Sequence, residues 1–173
     1  MGRKPQPSKP RNVFVGGPIH YAISQDTYDA PLRALITSIL SVLEGGGYEV
    51  FSAHRAEAFG LDREKFSSHE IAMRDFDWMK RCESFVAVLP AGRDGVLRTD
   101  GTHVELGWAC ALGKPIVAVA PLPLPESYGH LLRGLESIAR VVFVDIREVQ
   151  KCPAVLREVL ERQFRQNVSS RKR

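Results

Sequence analysis

Residues 84–120, SFVAVLPAGRDGVLRTDGTHVELGWACALGKPIVAVA, decide the fold. The runs Ser84 to Leu89 (SFVAVL) and Pro115 to Ala120 (PIVAVA) are short, apolar without interruption and rich in β-branched residues, which predicts strands buried on both faces. Between them, Thr102 to Leu112 carries a helical pattern. A strand, a helix and a second such strand make a βαβ unit, whose strands run parallel and whose crossover is right-handed.

The same alternation extends in both directions. Further strands are expected at Asn12 to Gly16 (NVFVG), Tyr48 to Ala53 (YEVFSA) and Arg140 to Asp145 (RVVFVD). Pro31 to Glu44 sets Leu32, Leu35, Ile36, Ile39, Leu40 and Leu43 on one helical stripe, ended by Gly45-Gly46-Gly47. Helices are also expected at Ser67 to Lys80, Ser127 to Ser137 and Pro153 to Arg165. The pattern βαβαβαβαβα reads as an α/β fold, a single doubly wound domain with a five-stranded parallel sheet in the order 2-1-3-4-5. Such sheets bind ligands beyond the carboxyl ends of their strands, so the chemistry is expected in the loops that follow them.

The chain has 173 residues, 44% of them hydrophobic and 25% charged, the composition of one ordinary globular domain. No apolar run approaches the ~20 residues that span a bilayer, and MGRKPQPSKPR lacks the apolar stretch of a secretion signal, so no membrane association and a cytoplasmic location are expected. Cys82, Cys110 and Cys152 lack metal-ligand spacing and suggest neither disulfide scaffold nor zinc site. The sequence pI of 9.1 arises at the ends. Nine of the 24 bases lie in residues 1–11 and 162–173, where there is no acid, which leaves 15 bases against 20 acids in between. An acidic body without a basic face or recognisable motif argues against nucleic acid as a partner. Residues 1–11 and 167–173 are read as disordered basic tails around a domain at 12–166.

Several ligand-side segments carry candidate chemistry. Thr99-Asp100-Gly101-Thr102-His103-Val104-Glu105 opens a helix, and free backbone N–H groups, a glycine and two hydroxyls there suit an anion such as phosphate. Thr102-x-x-Glu105 is equally a capping box, and Glu105 could equally face the cleft as a nucleophile or base. Asp75 and Asp77 are two apart on a helix, so at most one of them enters a site. Paired carboxylates suit glycosyl-bond cleavage, one stabilising an oxocarbenium-like centre while the other assists the leaving group. Gly16-Gly17 after a buried strand lets backbone approach a ligand. His20, His54 and His103 occupy ligand-side loops, and no pair has the i, i+4 spacing of a helix-borne zinc site. No G-x-G-x-x-G follows the first strand, no P-loop motif occurs and no G-x-S-x-G elbow is present, so nicotinamide, P-loop and serine-hydrolase chemistry are set aside.

Taken together, VFVGGPIH, SAHRAEAFG, MRDFDWM, SFVAVLP and DGTHVELGWACALGKPIV resemble the nucleoside 2-deoxyribosyltransferase superfamily over about residues 12–166. Within it the chain is most similar to the N-glycosidases of CMP or hydroxymethyl-CMP from peptidyl-nucleoside antibiotic pathways, and more distantly to the 2′-deoxynucleoside 5′-phosphate N-hydrolases. The resemblance implies a flavodoxin-like fold, a homodimer or larger assembly, no cofactor or metal, and hydrolysis of a nucleoside 5′-monophosphate. By the same resemblance Glu105 is the nucleophile at C1′, Asp75 assists departure of the base, and Thr99 and Gly101 belong to the phosphate loop. Gly16, Gly17, His20, Tyr21, His54 and Arg55 complete the expected substrate contacts. His20 stands where related hydrolases carry arginine, so the phosphate contact is expected to be weaker, differently made or supplied by Arg55, and Ile19, Tyr21 and Phe59 are expected near the base. Transfer of deoxyribose to a second base, or nucleotide binding without turnover, are the alternative readings.

Overall fold

The protein is described by a computed structural model over residues 10–92, 95–97 and 99–170. Five strands form one parallel sheet: β1 (Asn12–Gly16), β2 (Glu49–Ser52), β3 (Ser84–Val88), β4 (Ile116–Ala120) and β5 (Val141–Asp145). Their order across the sheet is β2-β1-β3-β4-β5, the doubly wound arrangement 2-1-3-4-5. Every neighbouring pair is parallel, with Val13 beside both Val50 and Ser84 in register.

Side chains alternate across this sheet, and each face has its own core. Val13, Val15, Val86, Val88, Val117 and Val119 pack against α1 (Ala30–Gly45), whose predicted stripe from Leu32 to Leu43 is buried throughout. Phe14, Phe85, Ala87, Ile116 and Ala118 face the other way, toward α2 (Ser68–Arg81) and α3 (Asp100–Ala111), where Met79, Leu106 and Ala109 meet them. Ala87 and Ala118 are the small residues of this face, and Leu106 and Ala109 of α3 belong to the same core. The last long helix, α4 (Val155–Ser170), lies on the α1 side and runs past the expected boundary at 166. Arg11, expected in a tail, lies over the Phe164 ring at 4.4 Å, and its carbonyl accepts from Glu49 N at 3.0 Å. Residues 1–9 and 171–173 lie outside the described residues.

Two local expectations are corrected. The helix expected over Ser127 to Ser137 is broken into a single turn, His130–Arg133, and a 3-10 turn, Leu135–Ser137, because Gly129 and Gly134 flank the first turn. The Thr102–Glu105 capping box does not form. α3 starts two residues earlier, which makes Thr99 the cap residue and puts Thr102 and Glu105 inside the helix, both buried. A capping box does form at Ser67 and Glu70, where Glu70 accepts from Ser67 N at 2.8 Å. No described helix is long and apolar enough to cross a membrane.

Candidate active site

A cleft of about 350 Å³ opens beyond the carboxyl ends of β1 and β3, where the strand order reverses. Its walls come from four segments: Gly17 to Tyr21 after β1, Ala53 and Glu57 after β2, Ile71 and Asp75 on α2, and Thr99 to Thr102 with Glu105 on α3. The two carboxylates expected to act together, Glu105 and Asp75, therefore line one cavity. Thr99, Gly101, Gly17, His20 and Tyr21 line it too.

Glu105 lies one helical turn inside α3, on the face turned to the sheet. It is 7% exposed, and its Oε2 is buried without a hydrogen-bond partner. Burial raises its carboxyl well above the usual range; the charges of Asp75 and Glu57 add to this and that of Arg74 opposes it. The room for this carboxylate is made by Gly16. A Cβ there would stand 2.2 Å from Glu105 Oε2 and 2.9 Å from the Phe85 ring. Gly16 thus serves the site by lacking a side chain.

Asp75 is also buried, and desolvation raises its carboxyl against the lowering effect of Arg74. Arg74 Nε donates to Asp75 Oδ1 at 2.8 Å, and Arg74 Nη2 donates to Glu57 Oε1 at 2.6 Å. Asp77 points outward to Lys80 and Arg81, in keeping with the expectation that only one of the two aspartates enters a site. Glu57 and Arg74 escaped the sequence reading. Glu57 belongs to no periodic pattern, and its only signals were a place in a ligand-side loop and a sequence neighbourhood shared with His54. Directly after it the chain adopts left-handed backbone at Ala58 (φ 47°) and Phe59 (φ 56°). Such positions cost about 1–3 kcal/mol each and tend to persist where a site requires them.

The start of α3 supplies the anion-seeking element. Thr99 makes no side-chain cap hydrogen bond, and the helix start from Thr99 to Thr102 faces the cleft, where its dipole favours an anion. The Thr99 hydroxyl and carbonyl oxygens each lie 2.8 Å from His103 Nδ1. Tyr21 donates from its hydroxyl to Asp100 Oδ2 at 3.3 Å and meets His20 edge-on at 5.0 Å between ring centres.

Three expected contacts lie elsewhere. His54 is fully buried behind the cleft wall, its Nε2 3.2 Å from Pro18 O, where Tyr28 also donates at 2.7 Å. Burial lowers the imidazole to about 4, so it is a neutral anchor for the loop after β1. Arg55 is paired with Glu44 at 2.5 Å outside the cleft, because the single turn Ala53–Ala56 points it away. Phe59 packs on Tyr28 and His54 under the Arg33 guanidinium and lines a separate cavity. Ile19 does line the main cleft.

The sequence profile of the nucleoside 2-deoxyribosyltransferase family matches residues 13–159. The chain belongs to the nucleoside 2-deoxyribosyltransferase family. A member from Thermofilum pendens, provisionally assigned as 2′-deoxynucleoside 5′-phosphate N-hydrolase 1, is 28% identical over 137 residues, covering 73% of this chain and 91% of that protein. The solution structure of BlsM is similar at 32% identity and a TM-score of 0.63, over 82% of this chain and 85% of BlsM. The fold is also that of BcmB, a CMP N-glycosidase from Clostridium botulinum, with a TM-score of 0.58 and 24% identity over 84% of this chain and 99% of BcmB. As in other nucleoside 2-deoxyribosyltransferase family proteins, the activity is that of an enzyme acting on the glycosidic bond of a nucleoside or nucleotide.

Proposed function

We propose that this enzyme hydrolyses the N-glycosidic bond of a nucleoside 5′-monophosphate, with CMP or a 5-substituted CMP as its substrate, releasing free base and ribose 5-phosphate. One observation carries the proposal: Glu105 and Asp75 share a cleft with the uncapped start of α3. The helix start, Thr99 and Gly101 would receive the phosphate, with His20 as the flanking donor. The sugar would then lie between the helix start and the carboxylates. The choice of CMP rests on the motif resemblance, and a 5′-phosphate is in keeping with the assigned activity of the Thermofilum pendens relative.

The chemistry follows from one proton. Glu105 and Asp75 interact in a desolvated cleft, and burial raises both carboxyls, so the proposed mechanism starts with one proton shared between them and held on Glu105. Attack at C1′ needs that proton removed from Glu105, and departure of the base needs a proton delivered to it. Passing the proton from Glu105 to Asp75 meets both needs. Glu105 then forms a bond to C1′ as the C1′–N bond breaks, and the base leaves with the proton from Asp75. Water attacks the glycosyl ester with Asp75 as base, giving net retention and returning the proton to the site.

The test is a panel of nucleosides and 5′-monophosphates, ribo and deoxy, followed by chromatography of the released base. Hydrolysis of CMP that is lost in Glu105→Ala supports the proposal, and unchanged release in that variant refutes it. Faster release from nucleosides than from their phosphates overturns the phosphate assignment. A new nucleoside formed when a second base is added identifies a transferase instead.

A further inference from the structure

Two buried groups in the cleft wall present a puzzle. Arg74 Nη1 and Glu105 Oε2 are both buried without a hydrogen-bond partner, and Arg74 is near enough for its charge to lower the Glu105 carboxyl. A free guanidinium would turn to such a carboxylate, because bidentate Arg–carboxylate pairs are among the strongest hydrogen-bonded contacts. Arg74 does not turn. Its Nε is held by Asp75 and its Nη2 by Glu57, and its plane lies over the Trp78 ring at 4.8 Å.

We infer that Glu57 and Arg74 form a positioning clamp, in which Glu57 anchors the guanidinium on Asp75 and denies it to Glu105. The inference rests on the proposed function for its purpose and on the hydrogen bonds for its existence. Paired with Arg74, Glu105 would be a stable carboxylate, and the site would lack the proton that the departing base needs. Held on Asp75 through one oxygen, Arg74 keeps that carboxyl in place and leaves its second oxygen unengaged by the clamp. Glu57 is 5% exposed and reaches the cleft from a segment with two left-handed residues directly behind it, so the turn that presents it is fixed by backbone as well as by charge.

The other charged or titratable groups facing this cluster among the described residues are Asp100 at the start of α3, and His20 and Tyr21 on the loop after β1. His54, behind the loop, is neutral. None of these bonds Arg74, so the clamp predicts opposite effects for its two halves. Glu57→Gln removes an acid and frees Arg74 to reach Glu105, which lowers the Glu105 carboxyl. Arg74→Gln removes the cation and raises it.

The experiment is a 13C NMR titration of the Glu105 side-chain carboxyl, assigned by its loss in Glu105→Gln, in the wild-type protein and both variants. A downward shift of about one pH unit or more in Glu57→Gln and an upward shift in Arg74→Gln are expected. Arg74→Lys keeps the charge without the fork and serves if Arg74→Gln does not fold; in that background Glu57→Gln reads only the loss of the Glu57 charge, so its downward shift is expected to be clearly smaller than in the wild-type background, and equal shifts in the two backgrounds overturn the clamp. An unmoved or raised Glu105 titration in Glu57→Gln overturns the clamp, even if both variants lose stability. The titration needs no turnover. A wild-type protein that releases no base while the titration moves as expected refutes the proposed function and leaves the clamp standing.

Discussion

Replacing Gly16 with alanine isolates the geometry of the nucleophile. The new methyl would lie 2.2 Å from Glu105 Oε2, whereas ordinary contact starts near 3.4 Å, so the carboxylate must retreat by about 1.2 Å. Phe85 cannot yield in its place, since its ring is fully buried and packed on Phe14 at 5.3 Å between centres. A misplacement of about 1 Å costs roughly 100-fold in rate, or about 2.7 kcal/mol of transition-state stabilisation. Added bulk in a packed site costs a further 1–3 kcal/mol or so of stability. Gly17→Ala is the control. Its methyl would meet His54 Cε1 and Val88 Cβ, both at 3.2 Å, and does not touch Glu105. It should lose stability to a similar extent but less than about tenfold in turnover. The assay is steady-state base release, with thermal melting measured on the same samples. Wild-type kcat in Gly16→Ala, or an equal loss in both variants, would refute the reasoning.

The buried carboxyl of Glu105 is raised in the folded state, so it binds its proton more tightly there, and its contribution to stability falls as pH rises from the ordinary glutamate value through the folded one. Glu105→Gln should therefore melt higher than the wild type, by a margin that grows with pH across that window, while base release drops by about 1000-fold or more. A melting series from pH 4 upward with no such divergence sinks this expectation. For His54 the sign is reversed in charge: its imidazole is lowered from 6.5 to about 4, so wild-type stability is lost as pH falls between those values. His54→Leu should flatten that acid-side slope and raise KM by loosening the Pro18 carbonyl, as urea titrations and kinetics would show. Arg55→Ala should leave KM within about twofold, since exposed ion pairs contribute little and this one lies away from the cleft; a tenfold rise would return Arg55 to the site.

All five strands lie within one residue of their expected bounds, because a parallel sheet buried on both faces writes itself as continuous apolar runs. The placement of Thr99, Gly101, Gly17, His20 and Tyr21 in one cleft was legible for a related reason: they follow β1 or open the helix after β3, with Glu105 one turn further on, and topology gathers those ends. Asp75, in the middle of the helix before β3, is singled out by the family resemblance. What failed depends on backbone that period does not encode. The sequence places His54, Arg55 and Phe59 in the loop after β2. The direction of each is set by a one-turn helix and by left-handed residues at Ala58 and Phe59, which neither residue type announces. Glu57 was hidden by the same turn. Arg74 stands beside Asp75 in the chain, yet a neighbouring base normally faces solvent. Only the aromatic support of Trp78 and the acid from another segment bring it inward.

The distribution of unsatisfied groups gives the site a physical signature. Away from the cleft, buried polar side chains such as Gln163 and Ser84 find partners: Gln163 donates to Ile116 O at 2.9 Å and Ser84 to Pro115 O at 3.1 Å. Among the described residues five buried side-chain atoms lack a partner, and three of them belong to residues that form or back the cleft: His54, Arg74 and Glu105. Each such group costs about 1–3 kcal/mol, more when charged. A fold held by two well-packed cores can carry that cost at one end of its sheet. The same desolvation that makes Glu105 expensive strengthens every interaction it would make with a developing positive charge at an anomeric carbon. Stabilising substitutions should therefore concentrate at these positions and lower activity there, whereas equally polar buried positions at the far end of the sheet should show no such exchange.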